Sequence, residues 1–324
     1  MILSMKPPYD ITAQIIKLIS SVSEKMGQVN ATFLVKQSPQ LRKQNRIKTI
    51  HSSLQIEGNT LTEAQITAII ENKRVLAPQK DILEVLNALK VYDKIKIFKP
   101  HSEKSFLEAH QILMENLVEN NGKYRKSGVG IVQGSKVAHV APPPKNLPFL
   151  MKDLFDYIKN DKEITFVKAC VFHYEMEFIH PFIDGNGRMG RLWQTIILMN
   201  EYPVFEYLPI ETIISKTQDQ YYKALNDSDK LGKSNPFIEY MLTVLDNALA
   251  DLLHYNNRTL SDNDRLDYFL SITKIEFKRN DYMNVFKDIS SATASRDLAK
   301  GLALNLFSKT GEKNKTVYLM TNQN

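Results

Sequence analysis

The chain has 324 residues, of which 43% are hydrophobic and 24% are charged. This length and composition predict a soluble globular protein of two or three domains. Its single cysteine, Cys170, excludes an intramolecular disulfide framework and a multi-cysteine zinc site. The net charge of +6 and the pI near 9.0 suit nucleic acid, nucleotide or acidic protein partners without choosing among them.

Two features of the sequence bear on the cell compartment. No uninterrupted run of about 18 apolar residues occurs, so we expect no membrane span. The opening stretch MILSMKPPYD lacks the basic flank and the long apolar stretch of a signal peptide. We therefore expect a cytoplasmic protein in a reducing compartment, with Cys170 as a buried and inert thiol.

Residues 1–100 are predicted to form a helical N-terminal module. Apolar side chains recur at helical spacing within residues 10–28, 61–72 and 81–98. These stretches predict amphipathic helices.

A short motif lies inside this module, in HSSLQIEGN, residues 51–59. On a helix, Ser53 and Glu57 share one face because they are four positions apart. The ending Glu-Gly-Asn is typical of a helix C-terminus. Taken alone the motif is weak, since any helix that ends in Glu-Gly would match it.

Residues 101–255 are predicted to form a second domain. After a helix at 103–117 the composition shifts to Gly, Lys, Val and Pro, and short β-prone pieces around Gly134-Ser135 predict a hairpin over residues 128–141. The triple proline that follows cannot lie in a helix and closes the hairpin. Further helices are predicted over residues 148–160, 163–179, 216–227 and 235–255.

The stretch HPFIDGNGRMGR, residues 180–191, interrupts the helical pattern. Pro181 biases His180 away from helical geometry, so one helix ends there and another begins near Arg188. Helix N-termini present unpaired N–H groups, and glycines let the backbone approach an anion closely, so this junction is suited to phosphate. Arg188 and Arg191 share one face of the new helix and can hold two or more phosphates. The opposite, buried face is predicted to consist of Leu192, Ile196 and Met199.

The same stretch contains the groups that phosphate chemistry needs. Asp184 offers one hard oxygen ligand, which suits Mg²⁺ that bridges phosphates better than it suits zinc. His180 can take up a proton at neutral pH. These groups predict attack of a hydroxyl on a nucleotide phosphate, with the loop supplying position and charge stabilisation.

HPFIDGNGR, followed by Arg191, resembles the signature of the Fic family of protein adenylyltransferases, and the flanking HYEMEFIHPF and GRLWQTIIL are similar to the same core. The resemblance implies a mostly helical fold whose signature loop binds ATP with Mg²⁺. It also implies transfer of AMP to a Ser, Thr or Tyr hydroxyl of a protein, with pyrophosphate as the leaving group. The phosphate-transferring branch of the family has a lysine at the second glycine of the motif. Gly187 stands here, which favours nucleotidyl transfer.

The resemblance also implies a role for each residue of the loop. His180 would be the general base, Phe182 a buried anchor and Asp184 the magnesium ligand. The α- and β-phosphates would be held by Gly185, Asn186, Gly187 and Arg188, and the γ-phosphate by Arg191.

Three other segments gain an interpretation from the resemblance. The hairpin at 128–141 matches the family's flap, which is implied to pair with the target protein as an added strand while serving as a structural hairpin. Tyr222 matches a tyrosine that lines the adenine pocket, and a plain core position is the equal alternative. Ser53 and Glu57 match the family's inhibitory motif, which residues 1–100 would then present.

The polar stretch NNRTLSDND, residues 256–264, marks a boundary, and residues 262–324 resemble a winged helix-turn-helix. The recognition helix would begin at residues 293–298, and residues 311–315 would form the tip of the wing. DNA is a candidate partner of this domain, and packing or dimer formation is the alternative. The basic residues that could meet phosphates are Arg296, Lys300, Lys309, Lys313 and Lys315, diluted by the acidic residues Asp297 and Glu312.

The sequence as a whole predicts a mainly α protein with a hairpin flap, an N-terminal helical module and a small C-terminal winged helix-turn-helix. The leading interpretation is a protein adenylyltransferase that is inhibited by its own Glu57. One alternative is a DNA-binding regulator whose Fic-like core only senses nucleotide, and another is an enzyme that removes AMP from a modified protein. The intact His180 favours an enzyme, because sensing needs the phosphate loop but no base. A homodimer is a candidate assembly.

Overall fold

The computed structural model describes residues 6–33, 39–133, 136–259, 261–273, 276–286, 289–311 and 316–320. Within these ranges the chain is mainly helical, which confirms the predicted fold class. The chain divides into two compact units, Met1–Ser23 with Ser38–Ala248 and Glu24–Gln37 with Leu249–Asn324. The three-domain division at residues 100 and 255 stays a prediction.

Helices make up most of the first unit. They are α1 (Ala13–Phe33), α2 (Pro39–Ile56), α3 (Glu63–Ile70), α4 (Gln79–Asp93), α5 (Glu103–Leu113), α6 (Leu147–Asn160), α7 (Thr165–Ile179), α8 (Asn186–Glu201), α9 (Ile210–Lys216), α10 (Gln218–Leu231) and α11 (Asn235–Thr259). Helices α1 and α11 also contribute residues to the second unit. Short 3₁₀ turns lie at Ile95–Ile97, Pro144–Asn146 and Pro203–Tyr207.

Helices α7 and α8 flank the glycine stretch and pack along each other. Both bury side chains around most of their circumference, as expected of helices that are covered on all sides. Cys170 in α7 is fully buried, as predicted, and burial raises the pKa of its thiol. Leu192 and Ile196 of α8 are buried as predicted, whereas Met199 stays partly exposed.

The hairpin predicted over residues 128–141 is confirmed as an antiparallel strand pair, β1 (Gly130–Gln133) and β2 (Lys136–Val140). The turn predicted at Gly134-Ser135 lies outside the described residues. Among the strands that the structure describes, β1 and β2 pair only with each other. Each therefore keeps one edge that a further strand could occupy.

The second unit combines helices with a small sheet. Its further elements are α12 (Asp262–Ile272), β3 (Glu276–Phe277), α13 (Arg279–Val285), α14 (Ser291–Ala303), β4 (Phe307–Thr310) and β5 (Val317–Met320). The sheet is antiparallel in the order β3-β5-β4, and β4 and β5 lie on either side of the segment predicted as the wing tip. Of the wing tip predicted at 311–315, Gly311 is described, whereas Lys313 and Lys315 lie outside the described residues.

A buried ion pair lies in the core of the second unit. Arg265 donates from Nε and Nη2 to the two carboxylate oxygens of Asp297, at 2.6 and 2.9 Å. The Tyr282 hydroxyl donates to Asp297 Oδ2 at 3.1 Å. The expectation that Asp297 dilutes a surface charge patch is therefore wrong, because this carboxylate is neutralised inside the core, where it is 2% exposed.

We expect Asp297→Ala to lower the free energy of unfolding of the second unit by about 3–5 kcal/mol, because it leaves the Arg265 charge buried and uncompensated. Urea unfolding followed by circular dichroism measures the change. Asp267→Ala, at an exposed position of the same unit, is the matched control. An Asp297→Ala protein as stable as that control would show that the pair does not support the fold.

The first unit contains a buried carboxyl without such a partner. Glu211 on α9 is 0% exposed, and neither of its carboxylate oxygens accepts a hydrogen bond from a described residue. Burial raises the pKa of Glu211 from 4.5 to about 7, although the Arg191 charge acts in the opposite direction. Between pH 4.5 and about 7, Glu211 in the folded chain therefore keeps a proton that it has already released in the unfolded chain.

We expect Glu211→Gln to stabilise the protein much more at pH 8 than at pH 5. Between pH 4.5 and about 7 the folded chain binds more protons at Glu211 than the unfolded chain, so this carboxyl lowers the free energy of unfolding as the pH rises through that window. Replacement should recover on the order of 2–3 kcal/mol at pH 8. Urea unfolding at both pH values measures the gain, with the exposed Glu108→Gln as control. Equal effects of Glu211→Gln at the two pH values would contradict the raised pKa.

Candidate active site

The glycine stretch begins where α7 ends, at His180, as predicted. His180 closes the helix in the left-handed conformation, with φ 49° and ψ 60°, and its N–H donates to Met176 O at 3.0 Å. This conformation is uncommon for residues other than glycine. The surrounding structure must therefore hold His180 in it.

Arg125 contacts this helix end, and the sequence pattern did not single it out. Its guanidinium donates to His180 O at 2.7 Å and to Ile179 O at 3.3 Å. Its backbone N–H donates to Pro181 O at 2.9 Å. The exposed fraction of Arg125 is 3%, so the residue is part of the interior that supports the loop.

Asn186 fixes the turn between the two helices. Its side chain accepts a hydrogen bond from Phe182 N–H at 2.9 Å and donates one to Phe182 O at 3.0 Å. Phe182 itself is fully buried, where the resemblance expected an anchor. The loop closes on itself through these two bonds, so its shape follows largely from its own sequence.

His110 on α5 packs against the loop, and the sequence pattern did not single it out either. Its ring stacks on Phe182, with the ring centroids 3.6 Å apart. Gly122 N–H donates to Nδ1 at 2.8 Å, so Nε2 carries the proton and donates to Asp184 O at 3.0 Å. Burial lowers the pKa of His110 to about 4, which keeps this neutral tautomer at physiological pH.

Helix α8 begins at Asn186, directly after Gly185, whose φ of 85° favours glycine. None of the described side chains caps this helix, so the N–H groups of its first turn are available to an anion. A Cβ at Gly185 would collide with Met114. A Cβ at Gly187 would collide with the Glu57 carboxylate, so glycine at this position is what lets Glu57 approach α8.

Arg188 is held between two carboxylates. Its Nη1 lies 3.0 Å from Glu84 Oε1 and its Nη2 lies 3.0 Å from Asp184 Oδ1. The other carboxylate oxygen of Glu84 accepts a hydrogen bond from Asn59 Nδ2 at 2.8 Å. Asn59 directly follows Gly58 in the sequence. Arg188 is only 5% exposed.

Arg191 is completely buried, and the motif in α2 supplies its partners. Its Nη2 donates to Glu57 Oε1 at 2.7 Å and to Ser53 O at 2.9 Å, and its Nε donates to Ser53 Oγ at 3.1 Å. We expected both loop arginines on a face opposite the buried one, and this expectation is wrong. The reason is that α2 and α4 cover that face and bring the carboxylates that allow guanidinium groups to be buried.

Tyr222 and Tyr221 on α10 lie on different sides of the helix. Tyr221 is 1% exposed and its hydroxyl is 3.0 Å from His173 Nε2, so it is the core residue of the two. Tyr222 is partly exposed, and burial raises the pKa of its hydroxyl, with a further increase from Glu57. Gln218 Nε2 donates to Ile56 O at 3.0 Å and lies 3.5 Å from Tyr222 Oη, so Tyr222 borders the end of α2 that presents Glu57.

Two further acids, the partly buried Glu177 and the buried Glu211, lie within electrostatic reach of Arg191 without forming an ion pair with it. Burial, together with the nearby Glu57 charge, raises the pKa of Glu177 to about 7. Glu211 has a pKa that is raised to the same value by burial. Because both are half protonated near neutral pH, Glu57 is the carboxylate on which the Arg191 charge depends.

Asp184 is the exposed acid of the loop, with 47% of its side chain accessible. Its Oδ1 accepts a hydrogen bond from Gly185 N–H at 2.6 Å and also contacts the Arg188 guanidinium. Within the described ranges, no group of three or more His, Cys, Asp or Glu residues could enclose a metal ion.

No described helix is long and apolar enough to span a membrane.

Comparison with known proteins identifies the core. Residues 100–198 match the model of the Fic/DOC family. Protein adenylyltransferase fic-1 of Caenorhabditis elegans is 31% identical over 230 residues, which are 66% of this chain and 42% of the relative. Protein adenylyltransferase Fic of Nematostella vectensis is 30% identical over 59% of this chain and 45% of the relative. The chain thus spans less than half the length of these curated relatives.

Solved structures extend the similarity beyond the core. A Fic family protein from Desulfovibrio desulfuricans, known from a crystal structure, is 38% identical in sequence to this chain. The two structures align over 99% of each chain with a TM-score of 0.76. Fic-1 from Caenorhabditis elegans, at 21% identity and a TM-score of 0.65, shares the fold over 77% of this chain and 74% of its own. The signature loop between α7 and α8 and the full-length match to the Desulfovibrio protein show that this chain belongs to the Fic family.

Proposed function

We propose that the protein is an adenylyltransferase that moves AMP from ATP to a hydroxyl group of a target protein. The observation that supports this most is the junction at residues 180–191, where a titratable imidazole, an exposed carboxylate, a helix N-terminus and two guanidinium groups meet. The names of the curated relatives give further support. A regulator that only senses nucleotide would not need His180.

In the proposed reaction, the first turn of α8 holds the phosphates of ATP. The oxygen of the target hydroxyl attacks the α-phosphorus, the bond from that phosphorus to the β-phosphate bridging oxygen breaks, and pyrophosphate leaves. The hydroxyl proton passes to His180 as the general base. Tyr222 borders the adenine, and the α-, β- and γ-phosphates are held by Gly185, Asn186, Gly187, Arg188 and Arg191.

The donor set of the loop fits Mg²⁺. This ion is usually bound by one or two carboxylates together with substrate phosphates and waters. Asp184 offers one such carboxylate on a side chain that is half accessible, next to the helix N-terminus that would receive the phosphates. When bound, Mg²⁺ would neutralise phosphate charge and favour departure of pyrophosphate.

The hairpin is the proposed docking place for the target. An extended segment of the target can add to an open edge of β1 or β2, where main-chain hydrogen bonds give affinity without fixing the target's sequence. A cytoplasmic location, a homodimer and DNA contact by a winged helix-turn-helix in the second unit stay predictions. The exposed side chain of Arg296 on α14 is the observation that favours DNA contact.

We expect His180→Ala to reduce AMP transfer by about 10² to 10⁴, the usual contribution of a positioned base, while ATP affinity is kept. Incubation with ATP labelled in the α-phosphate and with cell lysate measures transfer, and binding of a fluorescent ATP analogue measures affinity. His254→Ala is the control substitution, because His254 lies at an exposed position of α11, far along the chain from the loop. Undiminished labelling by His180→Ala would exclude this residue as the base.

The proposed enzyme is restrained by Glu57. The contact of 2.7 Å between Glu57 Oε1 and Arg191 Nη2 occupies the guanidinium that would hold the γ-phosphate. While Glu57 keeps this contact, ATP that enters has misplaced phosphates, so its α-phosphorus is not in line with the attacking hydroxyl. A displacement on the order of 1 Å can lower the rate about a hundredfold.

We expect Glu57→Gly to raise AMP transfer, including self-modification, by roughly one to two orders of magnitude. It also leaves the Arg191 charge buried without a partner, so the variant should have a lower thermal midpoint that ATP with Mg²⁺ raises more than in the wild type. Label incorporation and thermal unfolding measure the two effects.

The control for this substitution is Glu71→Gln, which removes an exposed carboxylate paired with Lys73 in the same unit. A folded Glu57→Gly protein with equal or lower incorporation would contradict the restraint. The same two variants, given a protein labelled with AMP, also test removal of AMP. Faster loss of label from the wild type than from Glu57→Gly would support the reverse activity.

A further inference from the structure

Arg125 is a buried cation whose hydrogen bonds all go to backbone carbonyl groups. Besides its bonds to His180 O and Ile179 O, its Nη1 donates to Ser127 O at 2.8 Å and its Nη2 donates to Pro142 O at 2.7 Å. Among the described residues no carboxylate forms an ion pair with it, and burial lowers the pKa of its guanidinium. Because a buried charge is costly, such a residue needs every one of these acceptors.

The carbonyl groups that Arg125 contacts belong to two structures. Ile179 and His180 end α7, where carbonyls have no partner within the helix and where a cation is favourable. Ser127 precedes β1 and Pro142 follows β2 along the chain, so these two residues lie at the base of the hairpin, where its strands begin and end. One planar guanidinium therefore joins the end of the helix that presents the imidazole to both ends of the hairpin.

We propose that Arg125 is a positioning residue that fixes the distance between the hairpin and His180. The inference rests on the proposed function, in which the hairpin carries the target and His180 takes its proton. The left-handed backbone of His180 persists only while its surroundings hold it, and Arg125 binds its carbonyl directly. The same residue sets where the target hydroxyl arrives, so both partners of the proton transfer share one reference point.

A purely structural role makes a different prediction from a positioning role. None of the hydrogen bonds of the Arg125 side chain reaches residues 182–191, which hold the phosphates in the proposed reaction. Loss of a positioning residue therefore lowers kcat while leaving the affinity for ATP unchanged. Loss of a structural support lowers stability and nucleotide affinity together.

The test uses Arg125→Gln and Arg125→Lys in the full chain with Glu57→Gly as parent. Initial rates of labelling of lysate proteins by ATP labelled in its α-phosphate give kcat and the KM for ATP, and a fluorescent ATP analogue gives Kd. Labelling by the parent that stops in its His180→Ala derivative establishes the proposed function first. A parent that labels nothing counts against the proposed function and not against the role of Arg125.

We expect Arg125→Gln to lower kcat by about a hundredfold with Kd for ATP within about twofold of the parent. Arg125→Lys keeps the charge and can reach some of the carbonyls, so it should recover part of the loss. Arg46→Gln is the control substitution. Arg46 in the same unit donates to Leu89 O at 2.9 Å and pairs with Asp93 at 2.7 Å, and its replacement should leave kcat unchanged.

Three results would overturn the proposal. One is a folded Arg125→Gln protein with the kcat of the parent. Another is a fall in ATP affinity that accounts for the whole loss of rate. If Arg125→Gln does not fold, Arg125→Lys decides, because a folded lysine variant with the parent's kcat would leave Arg125 a structural role only.

Discussion

The first unit is organised around a buried positive charge that needs an anion. Arg191 is completely buried, and Glu57 is its ion-pair partner among the described residues. Glu177 and Glu211 are close enough to interact with Arg191, but burial raises the pKa of each to about 7, so neither supplies a full charge. An anion at the position of the Glu57 carboxylate therefore offsets the buried charge of Arg191 and stabilises the fold. In the proposed enzyme a carboxylate and a phosphate compete to fulfil it.

The second arginine of the loop connects the same elements by another route. Arg188 contacts Glu84 on α4, and Glu84 binds Asn59, which follows the end of α2. Both guanidinium groups of α8 are thus linked to residues on either side of Gly58. A change at the end of α2 would therefore alter the surroundings of Arg188 and Arg191 together.

Local signals in the sequence were sufficient for much of the fold and for the loop. Pro181 predicted the end of α7, and the Gly-rich segment predicted the hairpin, because these effects act between neighbouring residues. His110 and Arg125 had no such signal, since they act on backbone carbonyls 74 and 55 residues away. Periodicity also placed the loop arginines on an open face, because it cannot report that α2 and α4 cover α8. Asp297 was misjudged for the same reason, as its partner Arg265 lies 32 residues earlier.

The close approach of Glu57 to Gly187 has a consequence for how this chain can diverge. Any side chain at position 187 would overlap the carboxylate, whatever its effect on phosphate. A residue other than glycine at position 187 therefore requires the Glu57 carboxylate to move, and this movement alters its contact with Arg191. Positions 57 and 187, 130 places apart in the printed sequence, are thus coupled, and replacement of either residue changes the surroundings of the other.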